Sequence, residues 1–269
     1  MNKILNKILD KFINMSEVEA IAIGGSTTAK TSDNKSDIDV YIFSTVDIPI
    51  EKRKNIINSI SSKYEIGGEY FGLGDEFWVD EADVQLDIMY WNISWFENTV
   101  KNIWLKHYPS NGYTTCFLYT LKNYDIIYDK NNWLKPLQEM LNVEYPEELQ
   151  NNIIKRNIML MKEKPFASYY EQIEKAINRK DVNSINHRIA AFVASYFDVI
   201  FAINKQLHPG EKRLIDFALN NCKILPNNFK INLLKLFEQP NNDTLHILNS
   251  IVNELKVVIR KANFLTSNQ

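Results

Sequence analysis

Three aspartates and one glycine turn carry the residue types that catalysis would need. Asp37-Ile38-Asp39 heads a run, Val40-Tyr41-Ile42-Phe43, that reads as a half-buried strand. A strand repeats every two residues, so Asp37 and Asp39 share a face. Two carboxylates that close repel each other unless a cation lies between them. Oxygen donors of this kind suit Mg²⁺, which combines a few carboxylates with substrate phosphates and water. Ten residues before Asp37, the strand-like Glu19–Ile23 has already run into Gly24-Gly25-Ser26. Glycine lets backbone approach a phosphate closely, and exposed N–H groups favour anions. The Ser26 hydroxyl is a further donor. Each motif alone is commoner as a turn or a solvated strand edge; together they describe a site that holds a nucleoside triphosphate through metal.

In-line transfer also needs the attacking oxygen activated, by two metals about 4 Å apart or by one metal and a base. A third carboxylate on a neighbouring strand would complete such a site. Asp87 is the favoured candidate, because Val84, Leu86 and Ile88 alternate with Gln85, Asp87 and Met89, so that Asp87 faces away from the apolar side. Asp83, four residues earlier on the same face, is the alternative.

The elements that must position these residues fall into two halves. Ile4, Leu5, Ile8, Leu9 and Phe12 recur at helical spacing, so the first residues form an amphipathic helix and not the unbroken apolar run of a leader. Strand patterns follow at 19–23, 37–43 and 83–90, with a helix over 51–63 and a glycine-rich stretch at 67–74. From Pro146 onward helical periodicity dominates. Its clearest case is 181–206, where Ile185, Ile189, Phe192, Tyr196, Ile200 and Ile203 form one stripe that ends at His208-Pro209-Gly210. Further helices are expected over 211–222, 228–238 and from Asp243 to about Ala262. The expectation is an α+β protein, with a mixed-sheet domain over 1–135 and a helical bundle over 136–269.

Composition narrows the class. With 269 residues, 45% hydrophobic and 24% charged, the chain can build two packed domains. A net charge of −2 argues against long nucleic acid as partner, because no overall positive field gathers it. Cys116 and Cys222 lie far apart, and His107, His187, His208 and His246 have no zinc spacing. The most apolar later stretch, 190–203, contains Asp198 and is too short to span a bilayer. A cytoplasmic protein without a membrane partner is expected, and the pattern specifies no oligomeric state. Six acidic residues between Asp75 and Asp87 read as a solvated loop or as bait for a cationic acceptor. Phe71, Phe77 and Trp78 beside them read as core or as stacking rings. Lys212 and Arg213, opening a helix, offer cations and N–H groups to a phosphate.

Gly25-Ser26, ten residues, Asp37-Ile38-Asp39 and the later Leu86-Asp87-Ile88 resemble the signature of the polymerase-β-type nucleotidyltransferase superfamily. Within it the chain is most similar to stand-alone bacterial enzymes such as the aminoglycoside and lincosamide nucleotidyltransferases. The resemblance spans about residues 19–91. It implies Asp37 and Asp39 as metal ligands, and Asp87 as a further ligand or the base toward the acceptor hydroxyl. It implies a contact to the triphosphate from Ser26; Gly25, by close backbone approach, and Lys212, by its charge, are further nucleotide-binding candidates. The cofactors implied are two Mg²⁺ ions with an NTP co-substrate. The acceptor implied is a small-molecule hydroxyl, such as that of an antibiotic. Transfer to protein or tRNA, as in toxin–antitoxin modules, and a regulatory module that binds nucleotide without turnover fit the same motifs.

Overall fold

The computed structural model describes residues 2–24, 37–69, 72–163, 166–238 and 243–266. Its elements run α1 (Asn2–Ile13), β1 (Val18–Gly24), β2 (Ile38–Ser44), α2 (Ile50–Ile57), β3 (Lys63–Gly68), β4 (Gly74–Val79), β5 (Val84–Asn92), α3 (Ile93–Trp104), α4 (Cys116–Lys122), β6 (Asp125–Asp129) and α5 (Leu134–Glu139). Then come α6 (Glu147–Ile158) with a π-turn over Met159–Glu163, α7 (Tyr169–Asn178), α8 (Val182–Ile203), α9 (Leu214–Asn221), α10 (Phe229–Phe237) and α11 (Thr244–Thr266). The fold is α+β, as its sequence pattern implies. Among the described residues no helix is long and apolar enough to cross a membrane. The chain divides into two units, one of Met1–Lys101 with Thr120–Glu144, the other of Asn102–Tyr119 with Tyr145–Gln269.

The first unit is organised by a six-stranded mixed sheet in the order β3-β4-β5-β2-β1-β6. Four of its pairings are antiparallel, and β2 with β5 is parallel. Period-two burial separates its faces. Ile38, Val40 and Ile42 of β2, Leu86 and Ile88 of β5, and Phe77 and Val79 of β4 are at most 4% exposed. They form one cluster with Ile8, Leu9 and Phe12 of α1 and with Ile56 and Ile57 of α2. Each such side chain contributes about 1.5–3 kcal/mol by leaving water. On the opposite face Phe43 packs against Phe96, Tyr124 and Trp133 at 4.9–5.9 Å between ring centroids. These aromatics cover the C-terminal end of β2 and leave its N-terminal end to Asp39.

The helix expected over 51–63 closes at Ile57, and two strands not expected from the sequence pattern, β3 and β4, flank the glycine-rich stretch. The acidic run that follows is a β-hairpin and not a solvated loop. Asp75 lies on its core face, fully buried with Arg53 of α2. The Arg53 guanidinium donates to Asp75 Oδ1 at 2.8 Å, Gly67 N–H to the same oxygen at 2.9 Å, and Tyr90 O–H to Oδ2 at 2.7 Å. The guanidinium also stands 4.7 Å over the Tyr90 ring. Burial and the adjacent Asp75 charge hold the Tyr90 phenol well above its ordinary range.

In the second unit α8 is buried on every side from Ala194 to Ile203, as suits a helix apolar all round. Asp181 caps it, accepting from Ser184 N–H at 3.1 Å. The expected stripe from Ile185 to Ile203 is buried along its whole length.

Candidate active site

The parallel pairing of β2 with β5 runs in register, so Ile38 lies beside Leu86, Asp39 beside Asp87 and Val40 beside Ile88. Register partners share a face, and neighbouring strands lie about 4.8 Å apart. Asp39 and Asp87 therefore emerge side by side on the face turned away from the core. On the other side of Asp39 its antiparallel partner is Gly24, the last residue of β1. The last described residue before Gly25-Ser26 thus lies next to Asp39. Gly24 is required by packing: a Cβ there would stand 2.7 Å from Tyr41 Cε2 and 3.0 Å from Tyr124 Cε1. Tyr41 follows Asp39 on its own face and lies 4.9 Å from Tyr124 between ring centroids. Burial first, then the Asp39 charge, raises the Tyr41 phenol far above its ordinary value. It is a neutral wall beside the carboxylates.

The row continues across the sheet. Glu76 of β4 is the partner of Asp87, and Glu65 of β3 is the partner of Glu76. Desolvation, followed by the charges of Asp87, Glu65 and Asp37, raises the Glu76 carboxyl above its usual range. Glu76 was not singled out from the sequence, although the alternation of Asp75, Phe77 and Val79 inward with Glu76 and Trp78 outward carries the signal. Gln85 donates from Nε2 to Asp87 Oδ1 at 2.9 Å. Asp37 is exposed in the segment leading into β2. Asp83 is occupied elsewhere: it sits in the β4–β5 turn at φ 50° and accepts from the Trp78 indole N–H at 2.9 Å.

Among the described residues no three His, Cys, Asp or Glu side chains already converge as a metal cage. What the register supplies is a pair of hard oxygen donors, with further negative charge near enough to raise Glu76. That chemistry fits a divalent cation such as Mg²⁺, which draws its remaining oxygens from phosphates and water. Gly25, Ser26 and Phe71 lie outside the described residues. Phe77 is core, 2% exposed, and Trp78 is half-buried. Lys212 and Arg213 belong to the second unit and are exposed in the turn before α9. Arg213 caps that helix at φ 54°.

The second unit has a polar cluster of its own. Asp198 of α8, 2% exposed, accepts from Thr114 N–H at 3.0 Å, Thr114 O–H at 2.6 Å and Asn157 Nδ2 at 3.2 Å. Burial outweighs these bonds and raises the carboxyl to about 6. His208 is wholly buried between the Tyr113 and Phe201 rings and accepts from Gly210 N–H. Burial lowers it to about 4, so it is neutral. These groups fasten Thr114, α6 and α8 together; they are an interior network.

Residues 113–214, under half the chain, match a domain family of unknown function, DUF4037. No curated protein matches the chain in sequence. Similar solved structures include a nucleotidyltransferase-like protein from Exiguobacterium sibiricum 255-15, at 10% identity over 95% of this chain and 73% of that one, with a TM-score of 0.45. The CCA-adding enzyme of Thermotoga maritima complexed with tRNA matches at 12% identity over 97% and 82% of the chains, with a TM-score of 0.29. A STING-associated c-di-GMP synthase from Capnocytophaga granulosa matches at 17% over 98% and 81%, with a TM-score of 0.28. At these identities and TM-scores, the chemistry of this chain must be read from its own residues.

Proposed function

We propose that this protein is a metal-dependent nucleotidyltransferase that moves a nucleoside monophosphate from an NTP to a hydroxyl of a small-molecule acceptor. The observation that carries this reading is the register of Gly24, Asp39 and Asp87 on three adjacent strands. It sets two carboxylates side by side on one sheet face, with Gly24, which precedes Gly25-Ser26 in sequence, as the neighbour of Asp39.

In this reading Asp37, Asp39 and Asp87 hold the cation, and Gly25 and Ser26 hold the triphosphate. Bound Mg²⁺ supplies Lewis-acid stabilisation of charge on the phosphates. The chain's own residues align the reactants. The acceptor oxygen forms a bond to the α-phosphorus as the bond from that phosphorus to the bridging oxygen of pyrophosphate breaks. The acceptor proton passes to a carboxylate, for which Asp87 is the candidate. Pyrophosphate leaves with the electron pair of the broken bond. The resemblance to antibiotic-modifying enzymes and the net charge of −2 support a small acceptor over long nucleic acid.

The test is pyrophosphate release from NTPs and Mg²⁺ across a panel of aminosugar and lincosamide acceptors. Release that disappears in Asp39→Asn supports the reading. Full release in both Asp37→Asn and Asp39→Asn would sink the metal assignment. NTP binding without release under any acceptor would make the chain a binding module.

A further inference from the structure

We infer that Gln85 is a positioning residue for Asp87, setting the orientation of that carboxylate toward the cation; this rests on the metal-site reading above. Gln85 and Asp87 are two residues apart on β5, so their side chains share a face and their Cα atoms are about 6.6–6.8 Å apart. A hydrogen bond across that span needs a side chain of glutamine length lying along the strand. The Nε2 to Oδ1 distance is 2.9 Å.

Two features hold Gln85 in that posture. Its antiparallel partner on β4 is Trp78. The Trp78 indole is itself anchored, donating to Asp83 Oδ1 at 2.9 Å, with the Lys63 ammonium 5.9 Å from its ring centroid. Gln85 is half-buried beside this ring, which limits the rotamers open to it. The turn carboxylate Asp83 therefore belongs to the same arrangement, acting two steps from the metal pair.

The donor's chemistry fits the task. An arginine or lysine at 85 would neutralise Asp87 and compete with a cation for its oxygens. A carboxamide N–H orients the carboxylate and leaves its charge in place. Asp75, one strand away on the core face, shows the contrary arrangement, with Arg53 taking its charge. Hydrogen-bond donors to metal-ligating carboxylates typically tune metal affinity 10–100-fold.

Mn²⁺ binding to the full chain without nucleotide, followed by electron paramagnetic resonance, tests this directly. Asp39→Asn and Asp87→Asn are expected to weaken binding at least about 100-fold, and Gln85→Met about tenfold. The melting temperature of Gln85→Met should stay within a few degrees of wild type; Gln85→Val, a better strand former, replaces it if the Met variant does not fold. In an Asp87→Asn background, Gln85→Met should add no further loss. With a positioning role, the Mg²⁺ concentration for half-maximal pyrophosphate release also rises about tenfold, while kcat at saturating Mg²⁺ largely recovers. Wild-type Mn²⁺ affinity in Gln85→Met, with both aspartate variants impaired, overturns the role of Gln85 and leaves the metal site standing. A Gln85 effect that persists undiminished without the Asp87 carboxylate overturns it too. Wild-type affinity in both aspartate variants removes the metal reading itself.

Discussion

Asp75 and Glu76 are consecutive residues of β4, and they end on opposite faces of the sheet with opposite fates. Asp75 is enclosed, and three donors answer its charge, one of them the Arg53 guanidinium. Glu76 stands in a row of negative charge with Asp87 and Glu65. The core face spends its carboxylate on holding α2 to the sheet. The site face accumulates carboxylates, and desolvation, followed by the charges of Asp87, Glu65 and Asp37, raises the Glu76 carboxyl. Charge on this sheet is thus sorted by strand parity: neutralised inside and concentrated outside.

The largest effects should separate these faces cleanly. Asp39→Asn is expected to cut pyrophosphate release by about 10³-fold, since metal ligation supplies several kcal/mol at the transition state. It should leave the urea midpoint nearly unchanged. Arg53→Met should do the reverse in kind, costing about 3–5 kcal/mol of stability by stranding the Asp75 charge. Equal loss of stability in both variants would break the division of labour.

Asp198 of the second unit sharpens the comparison, because it is as buried as Asp75 but its donors among the described residues are neutral. Among the described residues, the ionisable groups that feel its charge include Tyr113, Cys116 and Tyr145. Its carboxyl is raised from 3.8 to about 6. The folded state therefore binds the proton more tightly than the unfolded chain does. The resulting stability is fully present below pH 3.8 and is lost as pH rises through about 6. Its size is about 3 kcal/mol. Asp198→Asn should melt higher than wild type at pH 8, with the advantage shrinking as pH falls below 6. The new amide can also serve Asn157 Oδ1, which is buried with no hydrogen-bond partner among the described residues. Melting curves from pH 4.5 to 8 check this; a difference independent of pH would refute it.

Smaller effects probe the edges of the site. Gly24→Ala forces a Cβ against the Tyr41 ring and should cost about 1–3 kcal/mol by overpacking. It should also lower NTP affinity, measured by calorimetry. Trp78→Phe keeps an aromatic ring and removes the donor to Asp83, for about 0.5–1.5 kcal/mol in urea unfolding.

What could be read from the sequence was what local periodicity encodes. The faces of β2 and β5, the α8 stripe and the position of Asp87 opposite an apolar face all follow from spacings of two or of three and four. The fate of Asp75 was illegible, because its partner Arg53 lies 22 positions earlier in another element. β3 and β4 were hidden by glycines and charges that local propensity assigns to turns. Glu76 and Gln85 matter only through register with neighbouring strands, which no local pattern states. The membership of 102–119 in the second unit is likewise a matter of long-range contacts, such as Thr114 with Asp198, 84 positions apart.

The parallel pairing of β2 with β5 also sets an order of assembly. Asp39 and Asp87 become neighbours only after α2, β3 and β4 have been laid down between them and β5 has docked against β2. Closing a loop of that length costs entropy before any contact repays it. During synthesis on a ribosome, a chain that has not yet released β5 can pair β1 with β2 and so set Gly24 beside Asp39, but has no Asp87 next to them. The carboxylate pair is thus a report of completion, present only once the sheet's centre has closed.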